Sequence, residues 1–382
     1  MRRWAGGFGA VARAAVLLGT AALAGCSGPA APPGPIAVSR SACGEGWATP
    51  PAGPQTLQIR NDAAVTMEIE VVDPATGTVF GELDGVGAGT TRALPVNFGN
   101  GAYALRCAPE DGTPFVGPAV HVTGGADRPG PAVVPVTNAD LLEPLKKYHA
   151  YVAARLDTLT GQTAALAETV RRGDRSAAQQ AWLTAHLSYE RLGAAYNAFG
   201  DSDAAINGTT DGLPAGAADP GFTGFHRLEN GLWHNEPMPA LVPVADELDQ
   251  AVRKLQSSFA AAQIDQNDLG LRAHEIIENT LQFELTGRTD YGSGSNLATA
   301  AANLDGTRAV LDVLRPLLAT RFPGLRDLDG WLARTDADLR AVAGKPLSAL
   351  DRKQRQRINA DVSELTERLA PVAAIAEPRR VS

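Results

Sequence analysis

Gly224-Phe225-His226-Arg227-Leu228-Glu229-Asn230-Gly231-Leu232-Trp233 places a histidine and a carboxylate three residues apart in an apolar frame of Phe225, Leu228, Leu232 and Trp233. Positions i and i+3 share a helix face, so His226 and Glu229 can converge on one point. An imidazole nitrogen beside a carboxylate oxygen suits iron, zinc or another borderline cation. The same spacing also describes a buried His–Glu hydrogen bond that steadies a core helix, and two ligands do not make a metal site. The surrounding chain has to separate these readings.

Around this stretch, apolar residues recur at three-and-four spacing near 138–172, 175–199, 239–262, 267–286, 297–320, 326–343 and 348–376. Asp174-Arg175-Ser176 and Pro346-Leu347-Ser348 carry N-cap residues, Gly161 and Gly270 weaken their helices, and Pro316 and Pro371 should kink or end theirs. The pattern predicts an all-α domain over 138–376, packed as antiparallel bundles. Glu229-Asn230-Gly231-Leu232 is echoed by Glu278-Asn279-Thr280-Leu281, with His226 and His274 just ahead, an echo compatible with duplicated bundles or with chance.

Upstream the period changes to two. Thr56–Arg60, Val65–Val72, Val79–Leu83, Thr91–Val96, Ala102–Cys107 and Val120–Thr123 alternate, with a turn at Asp73-Pro74-Ala75-Thr76-Gly77. Short strands at this spacing predict a β-sandwich over 37–124, joined to the helical domain by a Gly- and Pro-rich linker at 125–137. The fold class expected is thus multidomain, β plus all-α.

The N-terminus reads as an address. Arg2 and Arg3 precede an apolar run that ends in Leu23-Ala24-Gly25-Cys26, a signal peptide over 1–25 closing on a lipobox, with Cys26 the lipidation site. The run is too short and glycine-broken to span a membrane well. Residues 26–36, with Ala-Ala-Pro-Pro-Gly-Pro, form an extended tether. The protein is therefore expected outside the cytoplasm, lipid-anchored on the cell-envelope face of the membrane. In that oxidising compartment the two remaining cysteines, Cys43 and Cys107, are most simply a disulfide.

With 382 residues and 44% hydrophobic content, the chain can build full cores, and 5% aromatics favours helices packed with Ala and Leu. Net charge is −8, and removing the three arginines of residues 1–25 takes it to about −11. No Lys/Arg block argues for nucleic-acid binding. Acidity fits cation capture and also plain solubility.

Further polar groups can join His226 and Glu229. His186 and Glu190 lie one turn apart, as do His274 and Glu278, with Glu275 alongside, and Asp201, Asp203 and Asn207 occupy a loop after the second helix. Facing helices that turn His and carboxylates inward are how bundles build metal sites. Two sharper motifs fail. His274-Glu275-Ile276-Ile277-Glu278 lacks the second histidine of a zinc-protease HExxH, and the Asp201 loop lacks the glycine of an EF-hand. No GxSxG or comparable nucleophile setting occurs.

Ala185-His186-Leu187-Ser188-Tyr189-Glu190-Arg191, Phe222-Thr223-Gly224-Phe225-His226 and Thr289-Asp290-Tyr291-Gly292-Ser293-Gly294-Ser295-Asn296-Leu297 resemble the imelysin-like (insulin-cleaving metallopeptidase-like) family, marked by HxxE. With the lipobox and sandwich ahead of them, the order resembles the branch that serves bacterial iron uptake, across essentially the whole mature chain. The resemblance implies a cupredoxin-like N-terminal domain and two four-helix bundles with a metal cleft between them. It implies iron bound by His226 and Glu229, with Glu190, Asp203 and Glu278 at a second, acidic position. It also implies two partners, a membrane iron permease and a haem-peroxidase-like secreted protein. Many relatives carry a second carboxylate one turn after the Tyr-Glu, where this chain has Gly193.

Three functions remain in view. The leading one is an iron-binding component that hands iron, ferrous or ferric, to a permease. A zinc metallopeptidase would need a water-bearing zinc and a base such as Glu229 or Glu275. A polyanion- or polysaccharide-binding lipoprotein could hold acidic sugars through a bridging cation. Copper in the N-terminal domain is not expected. A blue-copper centre needs two His and a Cys, and this domain has His121 alone with its cysteines paired.

Overall fold

The computed structural model describes residues 34–45, 47–127 and 134–379. The signal peptide, the Cys26 lipidation site, tether residues 26–33 and linker residues 128–133 lie outside the described residues.

The N-terminal part is a sandwich of two sheets. Its strands are β1 (Ile36–Val38), β2 (Cys43–Glu45), β3 (Gly53–Asn61), β4 (Met67–Val72), β5 (Val79–Val86), β6 (Thr91–Phe98), β7 (Gly101–Pro109), β8 (Phe115–Val116) and β9 (Val120–Val122). One sheet runs β2-β1-β3-β6; the other runs β5-β4-β7-β8, with β9 also on β7. Ile59, Leu94 and Phe98 from the first sheet meet Met67, Ile69 and Leu105 from the second across one core. β1, β2 and β8 had no counterpart in the sequence reading, because two or three residues are too few to show a period. Cys43 on β2 is bonded to Cys107 on β7, 64 residues later, which ties the two sheets together. Closing that loop contributes about 4 kcal/mol in the chain-entropy account.

The outer face of the second sheet carries Glu70, which is buried with Arg106 against it. Arg379, from the C-terminal end, reaches back to both Glu70 and Glu82. Its backbone N–H donates to Val136 O at 2.8 Å, so the C-terminus fastens the helical part to the sandwich.

The helical part comprises α1 (Asn138–Arg171), α2 (Arg175–Glu190), α3 (Tyr196–Phe199), α4 (Asp201–Asn207), α5 (Gly224–Trp233), α6 (Met238–Phe259), α7 (Gln266–Asn279), α8 (Asn296–Arg321), α9 (Leu325–Arg340) and α10 (Arg352–Ala376). α1 starts at a capping box in which Thr137 and Asp140 satisfy each other's backbone N–H, and it buries Leu141, Tyr148, Val152, Leu156 and Leu159 along one stripe. α1, α2, α5 and α6 pack together, α7, α8, α9 and α10 pack together, and the two groups meet where α1 and α2 lie on α8. The Glu-Asn echo falls on α5 in one group and α7 in the other, the third long helix of the first and the first of the second, so the two copies are not equivalent in position.

Of the kink or end expected at Pro316 and Pro371 the end does not occur, and the loop expected at Asp201 is corrected to a helix. α8 runs on past Pro316 to Arg321 and α10 past Pro371 to Ala376. Burial of Leu318 after the first proline, and of Val372 and Ile375 after the second, offsets the lost backbone hydrogen bond. The segment from Asp201 is the helix α4 instead of a loop; Gly200, at φ +54°, breaks the chain after α3 and lets a new helix start. No described helix is long and apolar enough to cross a membrane.

A candidate metal cleft between the helix groups

A cavity of about 150 Å³ opens where α2, α4 and α5 face α7 and α8. Glu190, Asn207 and His226 line it from the first helix group, and Arg272, Glu284 and Asn303 from the second. The cleft's chemistry is thus assembled from residues up to 113 positions apart, from Glu190 to Asn303.

α5 owes its position to its first residue. Gly224 has φ +74°, and a Cβ there would stand 2.2 Å from Ile206 O, so the backbone passes directly under the end of α4. The helix then buries Phe225, Leu228 and Leu232 and points His226 at the cavity. Trp182 of α2 donates its indole N–H to Phe225 O at 2.8 Å, which fixes α5 against α2.

His226 and Glu229 do meet, with Nδ1 3.4 Å from Oε2. Glu229 is only 1% exposed and is absent from the cavity wall. Its Oε1 accepts the backbone N–H of Tyr291 at 3.1 Å and of Ser293 at 3.0 Å. Burial pushes its carboxyl up, but His226 and Ser293 outweigh burial and hold it below the ordinary carboxylate range. A fixed, ionised Glu229 facing Nδ1 favours the tautomer that presents Nε2 to the cavity. This is the orienting role a carboxylate plays behind a ligating histidine.

Glu190 faces the cavity itself. Its Oε1 accepts the Asn207 side-chain N–H at 2.8 Å and lies 3.1 Å from His186 Nε2. His186 in turn stacks on Trp182 at 4.7 Å. Burial would raise the Glu190 carboxyl, yet His186, His226 and Asn207 keep it below the ordinary range, so it is ionised. Burial opposes charge on His186, and Glu190, Glu229 and Glu284 override it, holding that imidazole above its ordinary range. Asp203 lies off the cavity wall and accepts the Tyr189 hydroxyl. Asn207, one of the polar residues read near Asp201, is the α4 residue that reaches the cavity.

On the opposite wall the cavity receives Glu284, and Glu278 lies off it. Glu278 has a side chain 42% exposed, 3.9 Å from His274, and accepts from Gln282. Past Asn279 the helix widens into a π-turn over Thr280–Glu284, which shifts the phase of every later side chain. Counting turns from His274 lands on Glu278; the widened turn delivers Glu284 instead. Phe283 and Leu285 flank it, an apolar setting for a carboxylate that was the available sequence signal. Glu284 accepts from Thr289 Oγ1 and, at 2.9 Å, from Asn296 Nδ2. Burial, then the charge of Glu190, pushes its carboxyl up to about 7.

That shift has a consequence for stability. A carboxyl raised in the fold stabilises it fully below its unfolded value near 4.5, and the contribution is lost as pH rises through about 7. The full swing amounts to about 3 kcal/mol. Glu284→Gln removes the titration, and Asn296 can turn its unpartnered Oδ1 toward the new amide. Between pH 4.5 and 8, the variant should therefore gain stability relative to the unsubstituted, metal-free protein. Urea melts at several pH values check this, and a difference that is flat with pH contradicts it.

The donors fit a hard or borderline cation: a carboxylate and an imidazole on one wall, Asn207 Oδ1 buried with no partner, and Glu284 opposite. They do not form a closed cage. Among the described residues, the trio of His, Cys, Asp or Glu ligand atoms lying within 4.8 Å of one another is Glu68, Glu82 and Asp84, an acidic group on β4 and β5.

A family model described as Peptidase_M75: Imelysin matches residues 144–372. The chain is 28% identical over 336 residues to the "Iron uptake system component EfeO" of Yersinia pseudotuberculosis serotype I, covering 82% of this chain and 87% of that protein. It is 27% identical over 311 residues to the protein of the same name from Escherichia coli O1:K1, covering 80% and 78%.

Proposed function

The chain belongs to the imelysin family, and from that premise we propose that it is an extracytoplasmic iron-binding component that captures iron in the cleft between its helix groups for delivery to a membrane permease. The observation that carries the proposal is the presence of ionised Glu190 and oriented His226 on the wall of one cavity. Relatives matched over most of the chain are iron uptake system components, which supports iron as the cargo.

Within this reading Glu190 and His226 bind iron directly. Glu229 positions His226, and Glu284 balances charge from the far wall. Asp203 and Glu278, off the cavity wall, act on the site only at a distance. The permease, a haem-peroxidase-like partner and a lipid anchor at Cys26 belong to the same proposal. The metallopeptidase reading fits less well: its candidate base Glu275 is engaged by Arg272 at 2.7 Å, and Glu229 is enclosed behind His226. The sandwich is proposed to be cupredoxin-like without a type-1 copper centre, because Cys43 and Cys107 are bonded to each other.

Equilibrating the purified protein with iron, zinc and copper, followed by metal analysis and a protease assay on an unfolded substrate, tests these statements together. The expected result is about one iron retained per chain, no blue copper absorption and no cleavage. Cleavage that depends on bound zinc, with iron failing to bind, would establish the peptidase instead.

A further inference from the structure

We infer that the cleft takes iron together with a small oxyanion, a carbonate- or carboxylate-type ligand held by Arg272 that completes the metal's coordination. The inference rests on the reading of the cleft as an iron site.

Arg272 is a guanidinium on the wall of a cavity that also holds Glu190 and His226. A fixed positive charge beside a cation is repulsive in a low dielectric unless an anion lies between them. One arm of Arg272 is engaged by Glu275 at 2.7 Å. Its Nε is buried with no hydrogen-bond partner, and its 4.0 Å separation from Asp268 is too long for one. A planar guanidinium with an open N–H matches the two oxygens of a carboxylate or carbonate.

The metal's needs point the same way. Bonds of about 2 Å put two ligand atoms on one ion at most about 4 Å apart. No three His or carboxylate atoms of the cleft lie within 4.8 Å of one another among the described residues. As the side chains stand, at most two such ligands are pre-placed for one ion in this cleft, whereas octahedral coordination has six positions. There is also room. The cavity is about 150 Å³, and about 10–15 Å³ suffices for one water. Asn279, also on the wall, adds a second side-chain N–H donor.

The experiment is an anaerobic titration with ferrous iron in carbonate-free buffer, then with bicarbonate or oxalate added, the two arms separating an inorganic from an organic source. In the unsubstituted protein one of the anions should lower the apparent Kd about fivefold or more, the lower range of coupling between ligands that share a site. Arg272→Gln should lose that gain, while its anion-free affinity stays equal or becomes tighter because a positive charge has left the cleft. General loss of structure would instead weaken both. Arg272→Lys, which keeps the charge without the fork, should show a reduced gain. Arg315→Gln, on α8 away from the cleft and paired with Asp329 of α9, should keep all of it. Iron binding that ignores both anions, or an anion effect that survives Arg272→Gln, overturns the coligand and leaves the iron site standing. Failure to bind iron in every buffer overturns both.

Discussion

Glu190→Gln is expected to weaken iron binding by more than about a hundredfold, and Glu229→Gln by about 10- to 100-fold, the range seen when a partner behind a ligand is removed. The order of these effects separates two roles that the HxxE spacing leaves merged. Glu190 lies on the cavity wall and is ionised, so its replacement removes an anionic ligand outright. Glu229 is spent on His226 and on the N–H groups of Tyr291 and Ser293, so its replacement acts by loosening the imidazole. Both glutamines keep the side-chain volume, so far-ultraviolet dichroism should be unchanged. Iron titrations of the two variants supply the check. A larger loss in Glu229→Gln than in Glu190→Gln would make Glu229 the direct ligand.

Gly224→Ala should be the most damaging single methyl in the helical part. The new Cβ would stand 2.2 Å from Ile206 O and 2.8 Å from Ala205 O, in a backbone conformation of φ +74° that side chains avoid. A contact with two backbone oxygens cannot be relieved by a rotamer change, so α5 must shift relative to α4. A loss of 4 kcal/mol or more is rare among point substitutions and usually has an identifiable steric cause; about that much is expected here. His226 follows two residues later, so iron affinity should fall in whatever remains folded. Urea melts measure the first effect; a cost below about 1 kcal/mol would mean that the passage under α4 is not tight.

Most of the architecture could be read from periodicity, because the long elements carry many buried positions. The stripe predicted over 138–172 is α1 at 138–171, and 297–320 is α8 at 296–321. Local rules failed where tertiary contacts decide. α4 forms in a polar segment because Gly200 restarts the chain, and α8 and α10 outlast their prolines because the last turns are buried. The cleft was legible in part. Spacing on regular helices singled out His226 and Glu190, and the family resemblance is what made them candidate ligands. Glu284 did not, since a π-turn breaks the count that leads from His274 to Glu278. The standing of Glu229 could not follow from its neighbours, because it is set by the backbone at 291 and 293, more than sixty residues on.

The central claim, that iron is held between the helix groups by Glu190 and His226, meets its most direct test in crystals of the iron-loaded protein, with anomalous scattering recorded at the iron edge. The account predicts one strong peak in the cleft, about 2 Å from a Glu190 carboxylate oxygen and from His226 Nε2. A peak at Glu68, Glu82 and Asp84 with none in the cleft would contradict it.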